Sequence, residues 1–327
     1  MKRTGWMAVL ALSLALPIGA AEAQALKPEQ INEAKATEKG GNRAMAARLQ
    51  VLLDRARFSP GVIDGRMGEN VENALAAFRK EHKLEGKGAS VDEATWAKLA
   101  ENGGDKAIVE YTITEEDVKG PFAKEIPKGF EEKKDLERLA YTGPVELLAE
   151  RFHMDEDFLK ELNPGKDLTK AGTVIMVANV EKDTKGERGA VKRIEVDKAS
   201  KQLRAFGEGD KLIAVFPATI GSQQRPAPKG DHTVKGVAQN PIYTYNPEYK
   251  FEGVKADKPF TIKPGPNNPV GSVWIDLSEE GYGIHGTPEP SEIGKTASHG
   301  CVRLTNWDAN ILAQMVKTGV TVKFIGT

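Results

Sequence analysis

The stretch "IHGTPEPSEIGKTASHGCVRL", residues 284–304, contains Cys301, the only cysteine among the 327 residues, and two of the five histidines. Cys301 directly follows His299 and Gly300, and His285 stands near the start of the stretch. The segment between His285 and Cys301 is rich in Gly, Pro and Ser, which predicts a loop. Because loops held by a rigid scaffold often carry reactive groups, this pattern indicates a reactive site.

A cysteine nucleophile needs a nearby base, because a free thiol with a pKa of about 8.5 is only a few per cent thiolate at neutral pH. His299 is two positions from Cys301, and side chains at that spacing in a tight turn seldom meet. His285 ends a β-like run and can face the sulfur from a neighbouring strand, so we predict that His285 is the base. Gly300 allows unusual backbone dihedral angles, and a helix beginning soon after Cys301 is expected to favour the thiolate.

Outward from this stretch, the sequence from Val191 onward consists of short β-type runs separated by Gly and Pro. Such spacing predicts a β-sandwich or a barrel-like sheet. One helix is predicted in "TNWDANILAQMVKTG", capped by Thr305 or Asn306 and ending at Gly319, and "VTVKFI" supplies a last strand. With helical segments upstream, the fold class is multidomain α+β, with a mainly-β C-terminal domain and one helix after the cysteine.

The quoted stretch resembles the signature of the YkuD-type L,D-transpeptidases, in which a His and a loop precede Ser/Thr-His-Gly-Cys. The resemblance extends upstream through "PATIGSQQRPAPKGDHTVKG", "QNPIYTYNPEY" and "PGPNNPVGSVWIDLS". It covers residues 191–326, which we predict to be the catalytic domain. The fold expected from this resemblance is the mainly-β YkuD-type fold.

The resemblance implies a role for each residue of the motif. Cys301 is the implied nucleophile and His285 the implied proton donor and acceptor. The backbone carbonyl of Gly286 would orient the imidazole ring. Backbone N–H groups of Gly300 and Cys301, aided by His299, would form the oxyanion hole.

Five further residues are candidates for substrate binding. Ser298 and Arg303 complete the motif, and Arg303 either meets a substrate carboxylate or forms a structural ion pair. Tyr243, Tyr245 and Trp274 either form a wall of the substrate cleft or pack in the core of the sheet. His232, which also lies in the matching region, is predicted to be structural.

The implied reaction is an acyl exchange on peptidoglycan stem peptides. The thiolate attacks the bond between the third residue, at its L-centre, and a terminal D-alanine, which leaves a thioester. The acceptor is another stem, a lipoprotein lysine, a free D-amino acid or water, and the last of these gives a carboxypeptidase or endopeptidase. No cofactor and no metal are implied.

Three other classes compete with this interpretation. Papain-like and NlpC-type endopeptidases place cysteine before histidine, whereas His285 precedes Cys301 here. A zinc hydrolase built on His232, His285 and His299 lacks the helical HExxH spacing that puts two ligands on one face. A non-catalytic wall-binding protein has no need of both His285 and Cys301.

Residues 111–180 resemble a LysM module, a βααβ glycan-binding unit, through "LLAERF", "LKELNPG" and "AGTVIMV". A long charged segment stands where that family has a short turn. His153 in this region is predicted to be a surface or half-buried histidine rather than a metal ligand.

Residues 42–102 resemble the three-helix peptidoglycan-binding-like domain, through "LQVLLDRARFSPGVIDGRMGENVENALAAF". The apolar spacing predicts one helix over residues 45–53 and a second from about Val71 to His82, capped by Asn70. A third helix is predicted to begin with Ser90 as N-cap and Glu93 as its capping-box partner.

The first 25 residues have the layout of a secretory signal peptide, with Lys2 and Arg3 before an apolar run and small residues at the expected cleavage sites. We therefore predict an exported protein of the periplasm or cell wall, with no transmembrane segment. Export makes a lone free cysteine unusual, which favours a reactive role for Cys301. The net charge of −1, with both signs intermixed, gives no indication of nucleic-acid binding.

Overall fold

A computed structural model describes residues 26–36, 41–101, 106–180, 190–223, 225–249, 254–298 and 300–326. The predicted signal peptide, His299 and nearly all of the predicted linker 181–190 lie outside the described residues. Among the described residues, no helix combines the length and the hydrophobicity that a membrane span requires.

The N-terminal region is helical. Its helices are α1 (Pro28–Asn32), α2 (Arg43–Arg55), α3 (Glu69–His82) and α4 (Glu93–Ala100). The last three pack around a cluster that includes Leu49, Leu53, Leu75 and Phe78.

Two of the predicted helix starts in this region are wrong. Helix α4 is capped by Asp92, whose side chain accepts a hydrogen bond from the Thr95 amide at 2.7 Å, while the Ser90 hydroxyl bonds to a preceding carbonyl. Helix α3 begins at Glu69 after Gly68. The Asn70 side chain instead donates to the carbonyl of Ile293 at 2.9 Å, so it links the N-terminal and C-terminal regions.

The middle region contains strands β1 (Ile108–Thr112) and β2 (Val174–Ala178), which pair antiparallel. Helices α6 (Pro144–Arg151) and α7 (Glu156–Leu162) pack with them in one apolar cluster. The charged segment between β1 and α6 carries helix α5 (Glu115–Lys119) and a short 3-10 turn.

His153 in the middle region is buried, contrary to the prediction that it is a surface or half-buried residue. Its Nδ1 lies 2.8 Å from a carboxylate oxygen of Asp54. Its ring stacks on Trp307 with centroids 5.1 Å apart, so three regions of the chain meet at this histidine.

The described residues of the C-terminal region form one large sheet. Its strands are β3 (Arg193–Asp197), β4 (Gln202–Phe206), β5 (Leu212–Pro217), β6 (Thr219–Ile220), β7 (Gly230–Gln239), β10 (Val273–Leu277), β11 (Gly283–His285), β12 (Val302–Arg303) and β13 (Thr321–Ile325). Their order across the sheet is β5-β4-β3-β13-β7-β10-β11-β12-β6. Between β7 and β10, strands β8 (Tyr243–Tyr245) and β9 (Phe260–Ile262) form a separate hairpin.

Strand β7 joins the two halves of this sheet, because its first residues pair with β13 and its last residues pair with β10. The sheet is mixed, since β13 runs parallel to β3 and β11 runs parallel to β12. Helix α8 (Asn306–Met315) packs on β10 and β11. It is capped by Thr305, one of the two predicted caps, and ends four residues before Gly319.

Candidate active site

Strand pairing places Cys301 close to His285. Cys301 directly precedes β12, which lies parallel to β11, with His285 in register with Arg303. Because β11 and β12 run parallel, the loop between them carries the chain from the end of β11 back to the level of its beginning, and Cys301 comes just before Val302, the residue that pairs with Ile284. Cys301, His285 and Arg303 line a single cleft of about 1040 Å³.

His285 is held as a neutral imidazole. Its side chain is buried, and its Nδ1 lies 2.6 Å from the carbonyl oxygen of Gly286, to which the Nδ1–H donates. This bond leaves Nε2 as the nitrogen able to accept a proton. Burial lowers the pKa of His285 to about 3, and the charge of Arg303 acts in the same direction.

The thiol of Cys301 is not activated at rest. Burial raises its pKa above the usual value, although the nearby Arg303 charge opposes the shift. Helix α8 begins at Asn306, five residues after Cys301, and its first turn is capped by Thr305, whose side chain accepts from the Asp308 amide. The sulfur lies 3.8 Å from the carbonyl oxygen of Gly281 and, within the described chain, makes no hydrogen bond to His285.

The turn before Cys301 is fixed by Ser298. Its hydroxyl donates to the carbonyl of Cys301 at 2.6 Å, and its amide donates to the carbonyl of Gly221 at 3.0 Å. Ser298 is 2% exposed and does not line the cleft, so its observed contacts lie within the turn, and substrate binding by Ser298 stays a prediction. Gly300 has a φ of +106°, and a Cβ there would lie 2.7 Å from the ring of Tyr282, so this position requires glycine.

Residues 191–324 match the model of the YkuD family, described as the L,D-transpeptidase catalytic domain. The Putative L,D-transpeptidase YqjB of Bacillus subtilis is 30% identical over 132 residues, which cover 39% of this chain and 67% of that protein. This chain belongs to the YkuD family of L,D-transpeptidases.

Two further relatives align over more of this chain. The Putative L,D-transpeptidase YkuD of Bacillus licheniformis is 29% identical over 181 residues, covering 54% of this chain and 91% of that protein. The Probable L,D-transpeptidase YbiS of Escherichia coli K12 is 32% identical over 193 residues, covering 56% of this chain. The chain spans 60% of the length of YbiS.

Two of the three predicted aromatic residues line the cleft of this L,D-transpeptidase domain. Trp274 stacks on the His285 ring with centroids 5.5 Å apart, and its Nε1–H donates to Asp276. Tyr243 also lines the cleft. Tyr245 does not: it is 1% exposed and packs against Phe260, which corresponds to the second of the two predicted roles, packing in the core.

Arg303 lines the cleft and is half-buried. Within the described parts of the chain it forms no ion pair, and the charged group of Glu289 acts on it only at longer range. The predicted structural ion pair is therefore not found among the described residues, and contact with a substrate carboxylate stays a prediction. His232 is outside the cleft, with its ring against Phe324, as expected for a structural histidine.

Sequence reasoning missed the support beneath His285. The Asn306 side-chain oxygen occupies the space beside Gly286, and its Nδ2 donates to both carboxylate oxygens of Glu150 at 3.0 and 3.1 Å. Burial raises the pKa of Glu150 to about 8. Glu150 lies in a helix of the middle region, and no local pattern in "LLAERF" distinguishes it from a solvent-exposed glutamate.

Proposed function

We propose that this chain is an exported L,D-transpeptidase that exchanges the acyl group of peptidoglycan stem peptides. The observation that carries the proposal is the parallel pairing of β11 with β12: His285 ends β11, Cys301 directly precedes β12, and both line one cleft. The neutral imidazole supports it too, because a base must be unprotonated before it can accept the thiol proton.

The first half-reaction forms a thioester. Nε2 of His285 takes the proton from Cys301, and the sulfur attacks the carbonyl carbon between the third stem residue and D-alanine. Backbone N–H groups of Gly300 and Cys301, with help from His299, hold the resulting oxyanion. One such donor contributes roughly 3 kcal/mol, or 10²–10³ in rate. The C–N bond then breaks, His285 returns the proton to the leaving nitrogen, and D-alanine departs.

The second half-reaction transfers the acyl group. An entering amine gives a proton to His285 and attacks the thioester carbon, and the C–S bond breaks to restore the thiol. The amine belongs to another stem, a lipoprotein lysine or a free D-amino acid. Entry of water instead of an amine releases a tripeptide, which is the carboxypeptidase alternative.

We also propose that the N-terminal part of the chain directs the enzyme to the wall. Residues 42–102 would act as a peptidoglycan-binding-like domain and residues 111–180 as a LysM-like module, joined to a catalytic domain at 191–326. The antiparallel pairing of β1 with β2 around α6 and α7 supports the LysM-like assignment, with α5 and the 3-10 turn as an insertion between β1 and α6. Residues 1–25 would direct export to the periplasm or cell wall and be removed.

Intact-mass spectrometry after exposure to a carbapenem tests the nucleophile. We expect one adduct on the wild type and none on Cys301→Ala. His285→Ala is expected to slow acylation strongly and His299→Ala to affect it less. An unmodified wild type contradicts the proposed nucleophile, and equal rates for the two histidine variants contradict the choice of base.

Analysis of muropeptides identifies the acceptor. The purified enzyme is incubated with wall material that carries tetrapeptide stems. Dimers linked between third residues indicate cross-linking, exchanged D-amino acids indicate a free acceptor, and bare tripeptides indicate hydrolysis. Absence of all three products, together with no release of D-alanine, contradicts the proposed function.

A further inference from the structure

The segment that intrudes into the middle region reaches the catalytic cleft. Lys128, Gly129 and Phe130 line the same cleft as Cys301 and His285. These three residues lie outside the region that matches the L,D-transpeptidase family model. The cleft is therefore completed by a part of the chain that the catalytic domain does not contain.

Backbone hydrogen bonds fix this segment to the catalytic domain. The Leu139 amide donates to the carbonyl of Pro264 at 3.0 Å, and the Asn267 amide donates to the carbonyl of Leu139 at 2.9 Å. At Gly265 a Cβ would lie 2.1 Å from the Leu139 carbonyl oxygen, so the close approach requires a glycine. Glu131 adds a further link, because its carboxylate accepts from the Ala256 amide at 2.7 Å.

Phe130 lines the cleft and packs against other aromatic side chains. Its ring packs edge-on against Tyr243, with centroids 5.3 Å apart, and lies 6.0 Å from the ring of Tyr245. Ile242 lines the cleft beside Tyr243, and its side chain is 63% exposed. Apolar side chains and Lys128 therefore line the same cleft.

The charged side chains of the cleft favour an anionic ligand. The described residues that line it include the cations Lys128, Arg225 and Arg303 but only one carboxylate, that of Glu280. Lys128 is exposed, and it has no ion pair among the described residues. An ammonium group placed at the rim of a cleft pairs readily with a carboxylate of an incoming peptide.

We infer that Lys128 and Phe130 bind the donor peptide, with Phe130 packing against its chain and Lys128 pairing with a free carboxylate away from the scissile bond. The inference rests on the proposed function. It specifies the substrate as a stem peptide whose side-chain carboxylates are free, rather than one in which they are amidated. Under this inference the middle region contributes directly to substrate selection.

Binding to the Cys301→Ala protein tests the inference without turnover. The probes are a synthetic stem tetrapeptide with free side carboxylates and the same peptide with those groups amidated, titrated by calorimetry. Lys128→Gln is expected to weaken binding of the carboxylate peptide roughly three- to tenfold and to leave the amidated peptide unchanged. Lys128→Arg should restore most of the affinity, and Phe130→Leu should weaken both peptides alike.

Lys124→Gln is the matched control, since Lys124 is an exposed lysine of the same segment that does not line the cleft. It should bind both peptides like the parent. Three results would overturn the inference. Lys128→Gln weakens the binding of both peptides equally, it weakens the binding of neither, or neither peptide binds to Cys301→Ala. Release of D-alanine by the wild type tests the proposed function separately: binding without release contradicts that function and leaves the inference standing.

Discussion

At the residue scale, burial keeps both Cys301 and His285 uncharged at neutral pH. The pKa of the thiol is raised and that of the imidazole is lowered to about 3, so the proton stays on sulfur at neutral pH. In the proposed mechanism, attack by the sulfur therefore requires proton transfer to His285 after the peptide binds. This differs from a resting thiolate–imidazolium pair, which forms when the thiol pKa falls below that of the base.

The neutral pair predicts a steep pH dependence for alkylation of Cys301 by iodoacetamide. Below its pKa a thiol gains thiolate about tenfold per pH unit, so the rate should rise continuously from pH 5 to pH 8. His285 should add no inflection, because it stays neutral across this range. Stopped-time mass spectrometry measures the rate, and a plateau below pH 6 would show that the ion pair exists at rest.

Arg303 affects both members of the pair, since its charge lowers the pKa of Cys301 and of His285. Arg303→Gln should raise both pKa values, which reduces the thiolate fraction at pH 7. A loss of roughly 1 kcal/mol, or about fivefold in alkylation rate, is expected for one nearby charge. The melting temperature is measured in parallel: a large fall with an unchanged alkylation rate would assign Arg303 a structural role instead.

At the element scale, the turn between β11 and β12 sets the direction of the backbone amides at Gly300 and Cys301. Ser298→Ala removes the hydroxyl that donates to the Cys301 carbonyl, a bond worth about 1 kcal/mol. We expect kcat for D-alanine release to fall about tenfold while KM changes less, because the loosened turn affects mainly the transition state. Ser291→Ala, in the exposed part of the same loop, is the control, and a wild-type kcat for Ser298→Ala would contradict this role.

Local sequence predicted where helices and strands form better than it predicted which residues they contact. The helix after the cysteine and its cap at Thr305 follow from local side chains. Asn70 and Ser90 are also residue types that commonly cap helices, but neither caps one here. The Asn70 side chain bonds to Ile293, far along the chain, and α4 is capped by Asp92. The parallel pairing of β11 with β12 was not predicted, because short β-type runs carry no sign of their partner's direction.

At the scale of the whole molecule, buried polar groups join the three regions. Ser59 of the N-terminal region donates to Asp308 at 2.9 Å, and the nearby Asp54 and His153 approach the same carboxylate. Burial raises the pKa of Asp308 to about 7. Sequence reasoning recognised the long segment in the middle region as unusual. Its place against the cleft depends on contacts with residues more than a hundred positions away, which no local pattern encodes.

Glu150 gives this assembly a pH-dependent stability. Burial raises its pKa from 4.5 to about 8, and the neighbouring carboxylates of Glu146 and Glu156 add to the shift. At a pH between these two pKa values, Glu150 keeps its proton in the folded chain but has released it in the unfolded chain. Raising the pH therefore favours unfolding. The contribution of protonated Glu150 to the free energy of unfolding is thus complete below about pH 4.5 and lost by about pH 8. Between these values the free energy of unfolding falls by no more than about 1.4 kcal/mol per pH unit.

Glu150→Gln removes this titration, because the amide is neutral at every pH and its oxygen still accepts from Asn306. The melting temperature of the variant relative to the wild type should therefore rise between pH 5 and pH 8, while Asp308 titrates in both proteins. Glu137→Gln, which removes an exposed carboxylate of the same region, should show no such trend. Differential scanning fluorimetry at pH 5, 6.5 and 8 measures the difference, and a constant difference would mean that Glu150 is ionised in the folded protein throughout.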